Sequence, residues 1–132
     1  MLPSAGYKTY IAYKQNVPWF QAWQTCLLYG GHLASIESAA ENGRVEAAIR
    51  AVGSLTGDWF IGGTDIGIEG RFAWIGLHRE ITASSYKNYA PGEPNNSGGA
   101  EDCLSMGSQA GSKWNDLPCT TNVQGFVCAF VK

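Results

Sequence analysis

The spacing of apolar residues predicts an amphipathic helix near the start of the chain. In residues 16–31, NVPWFQAWQTCLLYGG, apolar side chains recur at helical intervals. Asn16 is positioned to cap this helix, Pro18 suits its first turn, and Gly30 predicts its end. The expected buried face consists of Trp19, Trp23, Cys26 and Leu27.

A second helix is predicted within residues 32–53, HLASIESAAENGRVEAAIRAVG. Ser38 followed by Glu41 has the spacing of a capping box, and Gly53 is a natural stop. The expected apolar stripe consists of Val45, Ala48, Ile49 and Val52.

The other apolar segments are short and predict strands. They are residues 7–15, 58–63, 70–77 and 125–131. Between them, residues 82–116 are rich in Gly, Ser, Asn and Pro and show little periodicity, which is typical of a long functional loop region. The order strand, two helices, strands, irregular region and strand predicts an α+β fold.

Composition narrows the class of protein. The chain has 132 residues, 45% of them hydrophobic, so we expect one domain over residues 1–132. A net charge of -2 argues against nucleic acid as a partner. No apolar segment is long enough to cross a membrane, so no membrane insertion is expected. No signal peptide is visible at the N-terminus, so if the protein is secreted we expect this chain to be a mature or recombinant form.

The four cysteines are widely spaced and contain no C-x-x-C pair, which favours two disulfides over zinc binding or redox chemistry. Four cysteines allow three pairings, and four buried free thiols are the alternative. Two disulfides would indicate an oxidising, extracellular compartment.

Oxygen atoms are concentrated in residues 92–103, GEPNNSGGAEDC. Neither lysine nor arginine occurs within this segment, so its carboxylates would repel one another without a bound cation. Carboxylate and amide oxygens suit calcium better than zinc or magnesium. A second polar cluster follows at residues 114–116, WND. Taken singly, each cluster is also typical of an ordinary turn.

Taken together, the motifs resemble those of a C-type lectin domain over essentially the whole chain. They are HLASIES at 32–38, WFIGG at 59–63, EPN at 93–95, EDC at 101–103, WND at 114–116 and GFVC at 125–128. The resemblance implies the C-type lectin-like α+β fold, with two helices, small antiparallel sheets and a long irregular calcium-binding loop region. It also implies two disulfides, Cys26–Cys128 and Cys103–Cys119.

The resemblance further implies calcium ligands and a sugar site. The primary calcium ligands would be Glu93, Asn95, Glu101, Asn115 and Asp116. The same Glu93, Asn95, Glu101 and Asn115 would hydrogen-bond the sugar, and Pro94 would be cis when calcium is bound. A second calcium site would use Asp65, Glu69, Asn96 and Asp102, although an ordinary polar turn is the alternative for Asp65 and Glu69. We therefore expect one calcium ion, with a second site beside it.

The order Glu-Pro-Asn resembles that of family members that bind mannose, fucose, N-acetylglucosamine and glucose. Carboxylates only accept hydrogen bonds whereas amides also donate, so each coordinated hydroxyl can donate to one and accept from the other. The expected partners are glycans with equatorial 3- and 4-hydroxyls on microbial or viral surfaces. The chain resembles secreted single-domain insect lectins, which implies a role in innate immunity.

Two other functions are compatible with parts of this sequence, an enzyme and a protein-binding domain. A glycosidase could use Glu93 and Glu101 as an acid/base pair, but their polar surroundings would not raise a carboxyl pKa. His32 and His78 have no recognisable nucleophile partner, so no catalytic residues and no enzymatic activity are expected. The alternative is a C-type lectin-like domain that binds a protein partner without sugar.

Overall fold

A computed structural model of the protein describes residues 8–68, 70–91, 102–108 and 111–131. These residues form two helices and eight strands. In chain order they are β1 (Lys8–Tyr13), α1 (Trp19–Leu28), β2 (His32–Leu33), α2 (Ala39–Val52), β3 (Asp58–Thr64), β4 (Ala73–Trp74), β5 (Arg79–Glu80), β6 (Asp102–Gly107), β7 (Trp114–Pro118) and β8 (Gly125–Val131). The predicted α+β class is confirmed.

Strand pairing links the two ends of the chain to its centre. β1 and β8 pair antiparallel along their length, with Ile11 opposite Cys128. β8 then pairs in parallel with β3, where Phe126 lies opposite Phe60. β3 also pairs antiparallel with β4 and β6, and β6 with β7. The parallel β3–β8 contact joins the expected antiparallel pairs into one hydrogen-bonded network.

The central strand β3 separates two apolar cores because successive side chains of a strand point to opposite faces. Trp59 and Ile61 lie in the core on the α2 side, which also contains Val45 and Ile49. Phe60 lies in the core on the α1 side. Buried members of that second core include Trp19, Ala22, Cys26, Leu33, Phe126 and Cys128.

Helix α1 differs from the prediction at its start and on its exposed face. Its N-cap is Pro18, with no side-chain cap, and Asn16 instead accepts a hydrogen bond of 3.0 Å from the Val123 amide. The prediction that Asn16 caps α1 was wrong because its side-chain oxygen is hydrogen-bonded to Val123, about a hundred residues away in sequence. Leu27, expected on the buried face, is 51% exposed, and Ala22 is buried instead. Gly30 follows the helix with a φ of 92°, as a helix stop requires.

Helix α2 begins as predicted. The Ser38 hydroxyl accepts from the Glu41 amide at 3.1 Å, and the Glu41 carboxylate accepts from the Glu37 amide at 2.8 Å. Gly53 is the C-cap. Val52, the last residue of the helix, is 45% exposed rather than part of the buried stripe.

Both disulfides form with the expected pairing. Cys26 of α1 is joined to Cys128 of β8, and Cys103 of β6 is joined to Cys119, directly after β7. The first spans 102 residues of sequence and the second 16. The described residues contain no free cysteine, so the alternative of four free thiols is excluded.

The region predicted to be irregular contains a hairpin. Strand β6, Asp102–Gly107, lies within it and is buried along its whole length. Its short sequence, DCLSMG, lacks a strong alternating pattern, and its pairing with β3 and β7 stabilises it. Conversely, the strand predicted at 70–77 is limited to Ala73–Trp74.

Candidate metal centre

The first acidic residue of the candidate site lies at the end of β3. Asp65 follows Thr64, whose hydroxyl donates to the Asp102 carbonyl at 2.9 Å. The Asp65 carboxylate accepts the Asp102 amide at 3.2 Å through Oδ1 and the Gly70 amide at 2.9 Å through Oδ2. These bonds bring Asp65 and Asp102 together, although 36 residues separate them in sequence.

Both of these aspartates are buried, each with 2% of its surface exposed. Burial disfavours a charged carboxylate unless hydrogen bonds or opposite charge compensate. Among the described residues, the hydrogen bonds to the Asp65 side chain come from main-chain amides rather than from lysine or arginine. Amide hydrogen bonds stabilise the carboxylate but leave its net charge in place.

The β6–β7 pair positions the third aspartate. Asp116 lies opposite Leu104 and is 7% exposed, and Asn115 lies opposite Ser105 and is half-buried. Alternation along β7 places Asp116 on the same face as Trp114 and predicts the other face for Asn115.

Tyr89 is an aromatic residue on which the charges of two of the aspartates, Asp65 and Asp116, both act. Its ring packs edge-on against Trp114 at 5.3 Å and against Phe72 at 6.4 Å. Burial raises the pKa of Tyr89 to about 12, with further contributions from the negative charges of Asp116 and Asp65. One phenol therefore lies within electrostatic range of both aspartates, which come from opposite ends of the β3–β6–β7 sheet segment.

Polar side chains fix the start of β7 beside Tyr89. The Trp114 indole N–H donates to Asn42 Oδ1 at 2.9 Å, and both Asn42 and Asn88 donate to the Ser112 carbonyl, at 3.1 and 2.9 Å. Neither Tyr89 nor Asn42 is among the site residues predicted from the sequence. The available signal for Asn42 was its position in the sequence: it is a polar residue at helical spacing from Val45 and Ile49, on the face that the helix buries.

The structure brings together only part of the predicted ligand set. Asp65 and Asp102 are in contact, and the negative charges of Asp65 and Asp116 both raise the pKa of Tyr89. Across the described part of the chain, no group of three or more His, Cys, Asp or Glu side chains is arranged to hold an ion by itself. The other predicted ligands, Glu69, Glu93, Asn95, Asn96 and Glu101, lie outside the described residues.

The donor chemistry of the described part fits calcium. Asp65, Asp102 and Asp116 supply hard carboxylate oxygens. The four cysteines are consumed by the disulfides, so they offer no thiolate to a softer metal.

Comparison with known proteins identifies the family of the chain. The family pattern described as the lectin C-type domain matches residues 15–130. A perlucin-like protein of Mytilus galloprovincialis is 34% identical over 111 residues, which cover 83% of this chain and 68% of that protein. The low affinity immunoglobulin epsilon Fc receptor of Mus musculus is 34% identical over 121 residues, 92% of this chain, but the match spans only 33% of the receptor.

Among solved structures, the cow C-type carbohydrate-recognition domain of CD23, determined in the presence of a GlcNAc2Man3 oligosaccharide, superposes with a TM-score of 0.80. It is 30% identical and the alignment covers 100% of this chain and 97% of that domain. The chain belongs to the C-type lectin domain family.

Proposed function

We propose that this protein is a calcium-dependent lectin that binds mannose-type sugars. One observation carries the proposal: the described residues that flank the oxygen-rich segment 92–101 are hydrogen-bonded close to the buried aspartates. On one side, the Ala90 amide donates to the Trp114 carbonyl at 2.8 Å, two residues before Asp116. On the other, Asp102 is hydrogen-bonded to Asp65. The described residues on either side of the segment, Ala90 and Asp102, are therefore held close to the acidic residues Asp116 and Asp65.

The primary calcium site is proposed to use Glu93, Asn95, Glu101, Asn115 and Asp116. Since regular alternation separates Asn115 from Asp116, binding one ion through both residues requires a local twist of β7 or the main-chain carbonyl of Asp116. A second site is proposed from Asp65, Glu69, Asn96 and Asp102. Two of these four, Asp65 and Asp102, are already in contact.

Bound calcium would supply coordination positions for two vicinal sugar hydroxyls. The protein's own contribution is the pattern of donors and acceptors around those hydroxyls. Glu93 and Glu101 accept protons, and Asn95 and Asn115 donate through their amides. The Glu-Pro-Asn order supports sugars with equatorial 3- and 4-hydroxyls, namely mannose, N-acetylglucosamine, glucose, and fucose by an equivalent pair. The oligosaccharide named with the cow CD23 domain contains two of these sugars.

A binding protein is favoured over an enzyme. His32 is buried and hydrogen-bonded to the Ser35 hydroxyl at 3.1 Å, and His78 is exposed. The Ser35 residue has 0% of its surface exposed, so this hydrogen-bonded pair does not present a nucleophile to a substrate.

Retention on mannose-agarose tests the proposal. The protein should bind in calcium, elute with EDTA and bind galactose-agarose less well. Asp116→Asn should lose retention because it removes a ligand charge at nearly constant volume. Asp58→Asn is the matched control, since Asp58 starts β3 and its carboxylate accepts from Ser105 at 3.4 Å. Retention that survives EDTA would reject the mechanism, as would equal losses in the two variants.

Residues 95–97, Asn-Asn-Ser, form a glycosylation sequon on the proposed ligand Asn95. A glycan there would remove a ligand amide, so the sequon is expected to stay unoccupied. Intact mass of protein from a glycosylating host checks this, and full occupancy would contradict the lectin proposal.

The proposed setting is extracellular recognition of microbial or viral glycans in innate immunity. The two disulfides favour an oxidising compartment. No helix within the described ranges is long and apolar enough to cross a membrane. One domain binds a monosaccharide weakly, so clustered glycans would supply avidity.

A protein partner is the second candidate. The mouse relative is named as a receptor for immunoglobulin epsilon Fc, which is a protein. A domain that binds calcium by calorimetry but is not retained by any of the four sugars would favour this alternative.

A further inference from the structure

A groove with a volume of about 570 Å³ lies between α1 and the segment from Thr64 to Glu80. Its walls are mainly apolar and aromatic. They include Trp19, Phe20 and Trp23 from α1 and Ile66, Ile68 and Ile75 from the opposite side. Among the described residues that line it, Asn115 of the proposed sugar site is not present, and its size is that of a small-molecule site.

Two of the polar groups that line the groove, those of Trp19 and Thr64, are already engaged within the protein. The Trp19 indole N–H donates to the Ile61 carbonyl at 2.8 Å, and the Thr64 hydroxyl donates to Asp102. A ligand would therefore gain little from hydrogen bonding to these two groups.

The charges beside the groove cancel. Arg71 and Glu80 form a bidentate pair, with N···O distances of 2.9 and 2.6 Å. An anionic or cationic ligand would have to compete with this internal partner. A neutral ligand matches the electrostatics of the walls.

Apolar surface in the groove remains in contact with water. Phe20 is 43% exposed and Ile68 is 58% exposed. A ligand lying between them would remove both side chains from water, and burial of such surface drives binding.

We propose that this groove binds a single neutral aliphatic chain from solution, such as a medium-chain fatty alcohol. The volume, the aromatic and branched walls, the engaged polar groups and the internally paired charges all favour an uncharged alkyl chain. This inference does not rest on the proposed sugar binding.

Titration with 1-decanol, followed by NMR of isotope-labelled protein, tests the proposal. The methyl signals of Ile66, Ile68 and Ile75 should shift and saturate, and excess mannose should leave the titration unchanged. Phe20→Glu and Ile68→Glu should each weaken binding at least tenfold, because they place a charge against the chain. Leu28→Glu is the matched control: Leu28 is 78% exposed on the same helix and does not line the groove.

The control should bind within twofold of the original protein. Shifts that do not saturate, equal losses in all three variants, or competition by mannose would overturn the proposal. Binding to neutral phosphatidylcholine vesicles that Phe20→Glu abolishes would identify a membrane surface instead of a single chain, and would also overturn it.

Discussion

Buried charged groups have different kinds of partners in two regions of this molecule. In the first region, which we call the base and which comprises β1, β2, β8 and the two helices, the Lys8 ammonium lies 2.8 Å from Glu37 and 2.9 Å from Glu41. Arg79 adds a second cation to Glu37. The chain therefore supplies its own counter-charges in the base.

The second region, which we call the acidic end, comprises Asp65, Asp102 and Asp116 with Tyr89. There the Asp65 carboxylate is held by main-chain amides, and the charges of Asp65 and Asp116 both act on the buried Tyr89 phenol. The difference is that lysine and arginine side chains hold the glutamates of the base, whereas main-chain amides hold the Asp65 carboxylate.

The largest expected effect comes from removing a disulfide. Replacing both Cys26 and Cys128 by Ser should lower the free energy of unfolding by about 4.7 kcal/mol, since their bridge closes a loop of about 100 residues. The matched pair Cys103→Ser with Cys119→Ser should lower it by about 3 kcal/mol because that loop is near 15 residues. Urea denaturation measures both, and a reversed order would show that loop entropy does not govern the two regions.

The internal counter-charge of the base is tested by Lys8→Met. This change leaves two partly buried carboxylates without their shared cation, so it should destabilise the protein by about 3 kcal/mol. Lys14→Met is the control, because Lys14 is exposed just after β1. Equal stability of the two variants would show that the Lys8 network contributes nothing.

The charge of the acidic end is tested through Tyr89. Asp65→Asn and Asp116→Asn should each lower the pKa of Tyr89 from about 12, while burial should keep it above its ordinary value of 10.0. Bound calcium should lower the same pKa. NMR titration of ¹³C-labelled tyrosine measures this pKa. A Tyr89 pKa that is unchanged in both variants would show that the aspartate charges do not act on the phenol.

The smallest expected effect is a pH dependence from the base. Burial and the nearby Lys8 charge lower the pKa of His32 below 6.5, although Glu37 and Glu41 oppose the shift. The unfolded chain then binds more protons than the folded one, so stability should fall as pH drops below 6.5. His32→Gln should flatten thermal-melt midpoints between pH 6.5 and 5, whereas the exposed His78→Gln should not. If the melting midpoint of His32→Gln depended more steeply on pH than that of the original protein, the downward direction of the His32 pKa shift would be contradicted.

Much of the base could be predicted from sequence because its signals are local. The Ser38–Glu41 cap, the Gly30 and Gly53 stops and the apolar strand at 125–131 all appear as predicted. The exceptions are positions where distant residues compete, as when Asn16 binds Val123 instead of capping α1. Strand β6 was missed because its stability comes from pairing with β3 and β7 rather than from its own composition.

The sequence by itself determined the helices, the chemistry of the oxygen-rich segment and the resemblance that paired the cysteines, since these depend on residue type and spacing. Only the tertiary structure decided that Asp65 meets Asp102, that Tyr89 lies near Asp116, and that Lys8 is buried between two glutamates. The groove beside α1 also arises only on folding. Each depends on strand register and packing between segments far apart in the chain, and local propensity carries no information about such contacts.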